Sequence, residues 1–292
     1  MTENFKTSDV DELFGAESVK VPFAGGLYKE INDNLSRAYS YGHDIKYIVR
    51  CLDYQCLVED KDGTKDIYDY AEYMTNDNLF DDVNYVLNKV AMERALKKLL
   101  FTMSGQEGLD FDGYANWMQY NQFGQESVLA SYTLGEPAES ERVLTESEEI
   151  MIRENVRQNV VALALEHPET TFYLYFPPYS IGYWDERYNN GELNWHIAAE
   201  QVAIEEMISC PNIKLYSFSI AEEKICDLDN YADYVHYAEW VNTWILTCMQ
   251  QDEYLLTEEN YEAYLEEERN FFSTYDYTAI HSTEEKQSGG AE

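Results

Sequence analysis

The residues best suited to chemistry are Asp233 and His236, in the run Asp227-Leu-Asp-Asn-Tyr-Ala-Asp233-Tyr-Val-His236-Tyr. An Asp three residues before a His can accept from the imidazole, fix its tautomer and stabilise the imidazolium that forms when the ring takes a proton. Such a His serves as general base toward a hydroxyl nucleophile. The same short motif also arises from a helix-capping Asp beside a structural His. Position favours the chemical role, because the pair follows the last strand-like run and His236 is one of only five histidines. Two serines are candidate nucleophiles within the chain, Ser104 in Thr-Met-Ser-Gly and Ser180 in Pro-Pro-Tyr-Ser. Neither sits in a Gly-x-Ser-x-Gly elbow; Ser180 follows a strand end and is expected to line the site. The histidines are scattered and no metal-ligand spacing recurs, so no metal and no cofactor is expected.

A His–Asp pair of this kind needs a scaffold that presents loops at one edge. Four apolar or aromatic runs each stop at a turn former: Ser18 to Phe23 before Ala24-Gly25-Gly26, Ile45 to Leu52 before Asp53, Thr171 to Phe176 before Pro177-Pro178, and Ile213 to Phe218 before Ser219. Helical periodicity lies between them. Thr145-x-x-Glu148 is a capping box followed by Ile152, Val156, Val160 and Leu163 on one face. A second helix follows Asn194 with Ile197, Ile204 and Ile208 on a stripe, and a third follows His236, where Trp240, Val241, Trp244, Ile245 and Cys248 recur at helical spacing as core. Alternating strands and helices predict an α/β fold, a three-layer α/β/α sandwich with a mostly parallel central sheet. Ligands in such sheets sit beyond the carboxyl ends of the strands. That rule makes Gly25, Gly26, Asp53, Tyr54, Tyr179 and Ser180 site candidates beside His236 and Asp233.

A chain of 292 residues with 45% hydrophobic content can bury one sizeable core. The domain is expected over residues 1–280, with a helical, Tyr-rich insertion at about 54–132 that includes a helix around Asp82 to Phe101, and a disordered acidic tail at 281–292. Lys and Arg number 20 against 56 Asp and Glu, a formal net charge of −36. Such a surface repels phosphate backbones and anionic bilayers, so nucleic acid is excluded as a partner. The five cysteines form no C-x-x-C pair and are expected as idle or buried thiols. No stretch approaches the apolar length of a membrane helix, and Met1 to Lys6 is no signal peptide.

The stretch from Thr171 to His236, with FYLYFPPYSIGYWDE, PNIKLYSFS and DLDNYADYVHY, resembles the C-terminal half of SGNH-hydrolase-like surface proteins of Gram-positive bacteria. Those proteins are similar to the D-alanyl transfer protein of teichoic-acid synthesis and to alginate O-acetyltransferase subunits. The resemblance implies that Asp233 and His236 are two members of a Ser-His-Asp triad. It also places VPFAGGLYKEINDNL at the family's second block, where Gly25 or Gly26 would donate a backbone N–H to an oxyanion. Two departures stand out. The third block's Gly-x-Asn-Asp is replaced by Arg50-Cys-Leu-Asp53-Tyr54, and an ionised Asp53 cannot donate to an oxyanion. The first block, a strand ending in Gly-x-Ser, would fall upstream of Met1.

The resemblance therefore implies an incomplete SGNH domain lacking its first, interior strand and the serine on it. The two strands flanking that position would lose their ladder partner. With the upstream segment restored, the expected function is a serine esterase or O-acyltransferase acting on acylated cell-surface glycan or wall polymer, anchored outside the membrane only through that segment. The alternative is a non-catalytic SGNH-fold glycan-binding or envelope scaffold protein. For that alternative, Trp117, Trp184 and Trp195 are the expected stacking residues.

Overall fold

In the computed structural model, residues 2–21, 25–65, 78, 80, 82–83, 87–105, 111–114, 116 and 120–281 are described. Three parallel strands and one short antiparallel strand form a single sheet. β1 (Tyr47–Cys51), β2 (Thr171–Phe176), β3 (Ile213–Ser217) and β4 (Leu255–Leu256) lie in that spatial order. β1 pairs with β2 from Tyr47↔Thr171 to Cys51↔Tyr175, and β2 with β3 from Phe172↔Ile213 to Phe176↔Ser217. β4 closes the far edge antiparallel, with Leu256 opposite Leu215. The α/β/α sandwich expected from the alternation of runs is the architecture found.

One helical layer contains α2 (Tyr28–Ser40), α4 (Glu146–Val156), α6 (Leu193–Met207) and α8 (Tyr261–Thr274), with α6 packed against both α4 and α8. α4 opens with the Thr145–Glu148 capping box and continues through one π-helical turn, Arg157–Val161. Ile152, Val156, Val160 and Leu163 are all buried, as their spacing predicts. The opposite layer contains α1 (Thr7–Phe14) packed against α7 (Glu239–Gln251). α3 (Lys89–Met103), α5 (Ile181–Asn189) and α9 (Thr278–His281) complete the named helices.

Strand alternation sorts the core between the layers. Tyr173 and Tyr175 of β2 face α1 and the segment before it, with Phe14 against Tyr173 at 5.0 Å and Phe5 against Tyr175 at 6.1 Å. Phe176 points the other way and stacks on Tyr54 at 5.3 Å. Arg50 is buried on that same side, where Nη1 donates to the Asn159 carbonyl at 2.8 Å and Nη2 to the Tyr28 carbonyl at 3.3 Å. Burial lowers its pKa to about 10.

Several sequence expectations shift. Ser18 to Val21 is not a strand, and Val19 and Val21 stand exposed; the remainder of that run, 22–24, lies outside the described residues. β propensity needs a ladder partner to become a strand, and no described strand lies beside this segment. Among the described residues β1 is correspondingly an edge, paired on one side only. Trp240 is half exposed instead of core, because its indole N–H turns to donate to Asn230 Oδ1 at 2.8 Å. His281, the first residue of the expected tail, ends α9, and the rest of that tail lies outside the described residues. The insertion's helix runs over Lys89–Met103. All five cysteines are free thiols.

Candidate functional site

The Asp233–His236 pair forms as its spacing requires. Asp233 Oδ2 lies 2.7 Å from His236 Nδ1, while Oδ1 accepts the backbone N–H of His236 at 2.8 Å and of Val235 at 2.9 Å. One carboxylate thus caps its own turn and holds the ring that the turn presents. Burial pushes the Asp233 carboxyl upward, but the hydrogen bond and charge of His236 and the two loop amides outweigh it and hold the acid below its ordinary range. Both side chains remain about one third exposed, so the ring is reachable from solvent.

The loop that carries the pair is fixed at several points. Tyr231 and Tyr237 form an antiparallel bridge, and Ala232 N–H donates to the His236 carbonyl at 2.9 Å. Tyr231 Oη donates to the Pro178 carbonyl at 2.7 Å, and the Tyr237 and Tyr175 hydroxyls meet at 3.3 Å. Ser180 Oγ donates to the Tyr234 carbonyl at 2.8 Å and is fully buried. Ser180 is therefore a clamp between the end of β2 and the His loop. Its hydroxyl proton is committed to a backbone acceptor, and burial denies it a substrate.

The other site candidates gather around the end of β1. Asp53 Oδ1 accepts the Gln55 N–H at 2.9 Å and so caps the short 3-10 turn Tyr54–Cys56. Tyr28 Oη donates to the Asp53 carbonyl at 3.2 Å, and the Cys56 thiol reaches the Gly26 carbonyl at 3.8 Å, which ties the loop before α2 to the loop after β1. Tyr54 packs edge-on against Tyr179 at 5.7 Å. Burial, followed by the Asp53 charge, raises the Tyr179 phenol well above its ordinary value. Tyr179 and Ser180 are consecutive, so the Gly26–Asp53–Tyr54 group and the Asp233–His236 loop meet at one dipeptide. Gly25 has φ +67°, a left-handed turn that favours glycine, and a Cβ there would lie 3.5 Å from Lys65 Nζ. Ser104 ends α3 on the surface, where its hydroxyl donates to the Phe101 carbonyl at 2.6 Å.

Of the tryptophans expected to stack on a glycan, Trp184 is fully buried and stacks on Phe272 at 3.9 Å. Trp195 is covered by the Arg142 guanidinium at 3.8 Å, and Trp117 lies outside the described residues. Among the described residues, no group of His, Cys, Asp and Glu is arranged to hold a metal ion. No described helix is long and apolar enough to cross a membrane.

No family model, curated protein or solved structure matches the chain.

Two arrangements carried no signal in the sequence. His281 Nε2 lies 2.6 Å from Asp185 Oδ2, and the same oxygen accepts from Tyr132 Oη at 2.8 Å, a second Asp–His pair built from residues 96 positions apart. The other is a buried carboxyl pair, Glu200 of α6 and Glu268 of α8, both with no exposed surface. Ser217 Oγ donates to Glu200 Oε1 at 2.9 Å, and Tyr264 Oη donates to Ser217 Oγ at 2.8 Å. Glu200 Oε2 and both Glu268 oxygens are buried without a hydrogen-bond partner, and the two carboxyls lie near enough for the Glu268 charge to act on Glu200. Burial raises both acids, Glu268 to about 7, and the neighbouring carboxyl raises Glu200 further. Two adjacent buried carboxylates would repel in a poorly solvated interior, so the pair keeps at least one proton.

Proposed function

We propose that this chain supplies the His–Asp part of an SGNH-type serine esterase or O-acyltransferase acting on acylated cell-surface glycan or wall polymer. The supporting observation is the Asp233 Oδ2 to His236 Nδ1 contact of 2.7 Å on a clamped loop following the parallel strands. With Nδ1 committed to Asp233, Nε2 is the nitrogen that moves a proton. In this mechanism a serine Oγ attacks the ester carbonyl as His236 takes its proton. The Gly25 and Gly26 amides stabilise the tetrahedral oxyanion, and His236 returns the proton to the departing alkoxide. Water or a polymer hydroxyl then attacks the acyl-enzyme, again losing its proton to His236, and Ser Oγ leaves reprotonated.

The nucleophile is assigned to a strand outside residues 1–292 that pairs with the open edge of β1. Support comes from the ladder of β1, which among the described residues is one-sided, and from Ser18 to Val21, a β-prone segment that joins no described strand. Ser180 is unsuited to the role, being buried and bonded to Tyr234.

The test is to translate the DNA in frame upstream of the Met1 codon and express the longer polypeptide. A strand ending Gly-x-Ser, labelling by a fluorophosphonate, and loss of acyl-nitrophenyl ester hydrolysis in His236→Ala are the expected results. An in-frame stop directly upstream, or turnover that survives His236→Ala, overturns the proposal. A second function, glycan binding without catalysis, draws on Asp53, which stands where the family has a donor Asn and is engaged as an acceptor by Gln55. Retention of an acylated glycan by the longer polypeptide without ester turnover would favour it.

A further inference from the structure

Among the described acidic residues only Glu200 of α6 and Glu268 of α8 expose no surface at all. Three of their four carboxylate oxygens, Glu200 Oε2 and both of Glu268, are buried with no hydrogen-bond partner, and so is the hydroxyl of Tyr54. Tyr54 is 4% exposed, and both carboxylate charges act on its phenol. Its Oη thus stands beside the pair without reaching hydrogen-bond distance of either acid. The neighbouring hydroxyls cannot turn to fill the gap. Ser219 Oγ meets Tyr264 Oη, Tyr264 donates to Ser217, and Ser217 donates to Glu200 Oε1, so this file of protons is spent on the fourth oxygen. Among the described residues no Lys or Arg bonds either carboxylate, and the nearest in sequence, Arg269, bonds the exposed Glu266 at 3.2 Å.

Oxygens that converge without bonding one another have the arrangement of ligands around a shared centre. We infer that Glu200, Glu268 and Tyr54 enclose a structural divalent cation that ties α6 to α8 at the carboxyl edge of the sheet. The donors are all oxygen, which suits a hard ion such as Ca2+, Mg2+ or Mn2+. Two carboxylates and one divalent ion cancel in charge, which removes the repulsion that the pair otherwise relieves by holding a proton. In the metal-free chain that proton takes the ion's place. Ser217 ends β3, Ser219 lies two residues beyond and Tyr54 follows β1, so the site lies where ligands of parallel sheets gather. Among the described residues no third His, Cys, Asp or Glu joins the two acids in a metal-holding group, so hydroxyl oxygen has to complete the set. Complete burial means that the ion enters as α6 and α8 close during folding, and its binding adds to the stability of the fold. This inference is independent of the acyl chemistry.

The experiment unfolds the full 292-residue chain in urea with EDTA, refolds it with CaCl2, MgCl2 and MnCl2, desalts it, and measures bound metal by atomic emission. A buried ion survives desalting, whereas ions on the acidic surface exchange away. One divalent ion per chain is expected, with a higher urea midpoint than for chain refolded in EDTA. E200Q/E268Q keeps the shape of both side chains and should retain no metal, with a urea midpoint indifferent to it. Y54F removes one oxygen while leaving the ring packed, and should need on the order of tenfold more free metal to fill the site. Wild-type chain that retains no divalent ion overturns the inference, as does E200Q/E268Q that retains as much as wild type. Should E200Q/E268Q fail to fold, a weakened affinity in Y54F supports the site and an unchanged one overturns it.

Discussion

Ser180 Oγ donates to the Tyr234 carbonyl at 2.8 Å, and this single bond ties the exit of β2 to the loop that presents His236. It converts a residue that sequence position marks as a nucleophile candidate into a positioning residue. Ser180→Ala should leave the Tyr234 carbonyl short of a donor in a part-buried site and lower stability by about 1 kcal/mol, read from the urea midpoint. In the upstream-extended polypeptide, fluorophosphonate labelling should persist in this variant. Loss of the label at unchanged fold would return Ser180 to the chemistry.

Asp233 has two separable tasks. Asp233→Asn keeps an oxygen to accept the Val235 and His236 amides but removes the charge that supports an imidazolium. It should fold nearly as well as wild type and, in the extended polypeptide, lose ester turnover by on the order of 10³–10⁴-fold. Asp233→Ala removes the cap as well and should cost about 1 kcal/mol more in stability. Equal melting temperatures for Asp233→Ala and wild type would show that the carboxylate holds neither amide.

The Glu200–Glu268 pair predicts a pH dependence. An acid whose folded pKa is raised binds its proton more tightly in the native state, so its contribution is full at low pH and is lost as pH rises. For Glu268 the loss should run from about 4.5, the ordinary Glu value, to about 7, and amount to on the order of 3 kcal/mol. Glu268→Gln should reduce the slope of that limb and leave the part that Glu200, raised as well, contributes, measured by urea titration at several pH values between those limits. Tyr54 and Tyr264, the phenols acting on the pair, are raised well above their ordinary values by burial and stay neutral in that window. A wild-type curve parallel to that of Glu268→Gln would show that Glu268 does not hold its proton above the ordinary Glu range.

His281 and Asp185 fasten the end of the described chain to α5. Asp185 is buried with Tyr132 as its other donor. His281→Ala should therefore free α9 locally, with faster amide exchange over 278–281 and little change at β2 or β3. Asp185→Ala removes the acceptor of both donors and should reduce global stability by about 1–3 kcal/mol. Exchange rates in α9 that do not respond to either change would rule out the clasp.

What the sequence determined by itself was whatever depends on neighbours along the chain. Thr171–Phe176 and Ile213–Ser217 are strands, the Thr145–Glu148 box starts α4, and the apolar stripe from Ile152 to Leu163 is buried, because periodicity and capping act within one or two turns. Asp233 and His236 belong to this class, three residues apart on one loop. Tertiary structure decided the rest. Ser18 to Val21 has the composition of a strand but needs another strand's N–H and C=O groups to become one. Ser180 was assigned its bond by Tyr234, 54 residues away. Asp185 met His281, and Glu200 met Glu268, only because α5, α9, α6 and α8 pack together, and no local pattern records a partner that folding brings from a distant part of the chain.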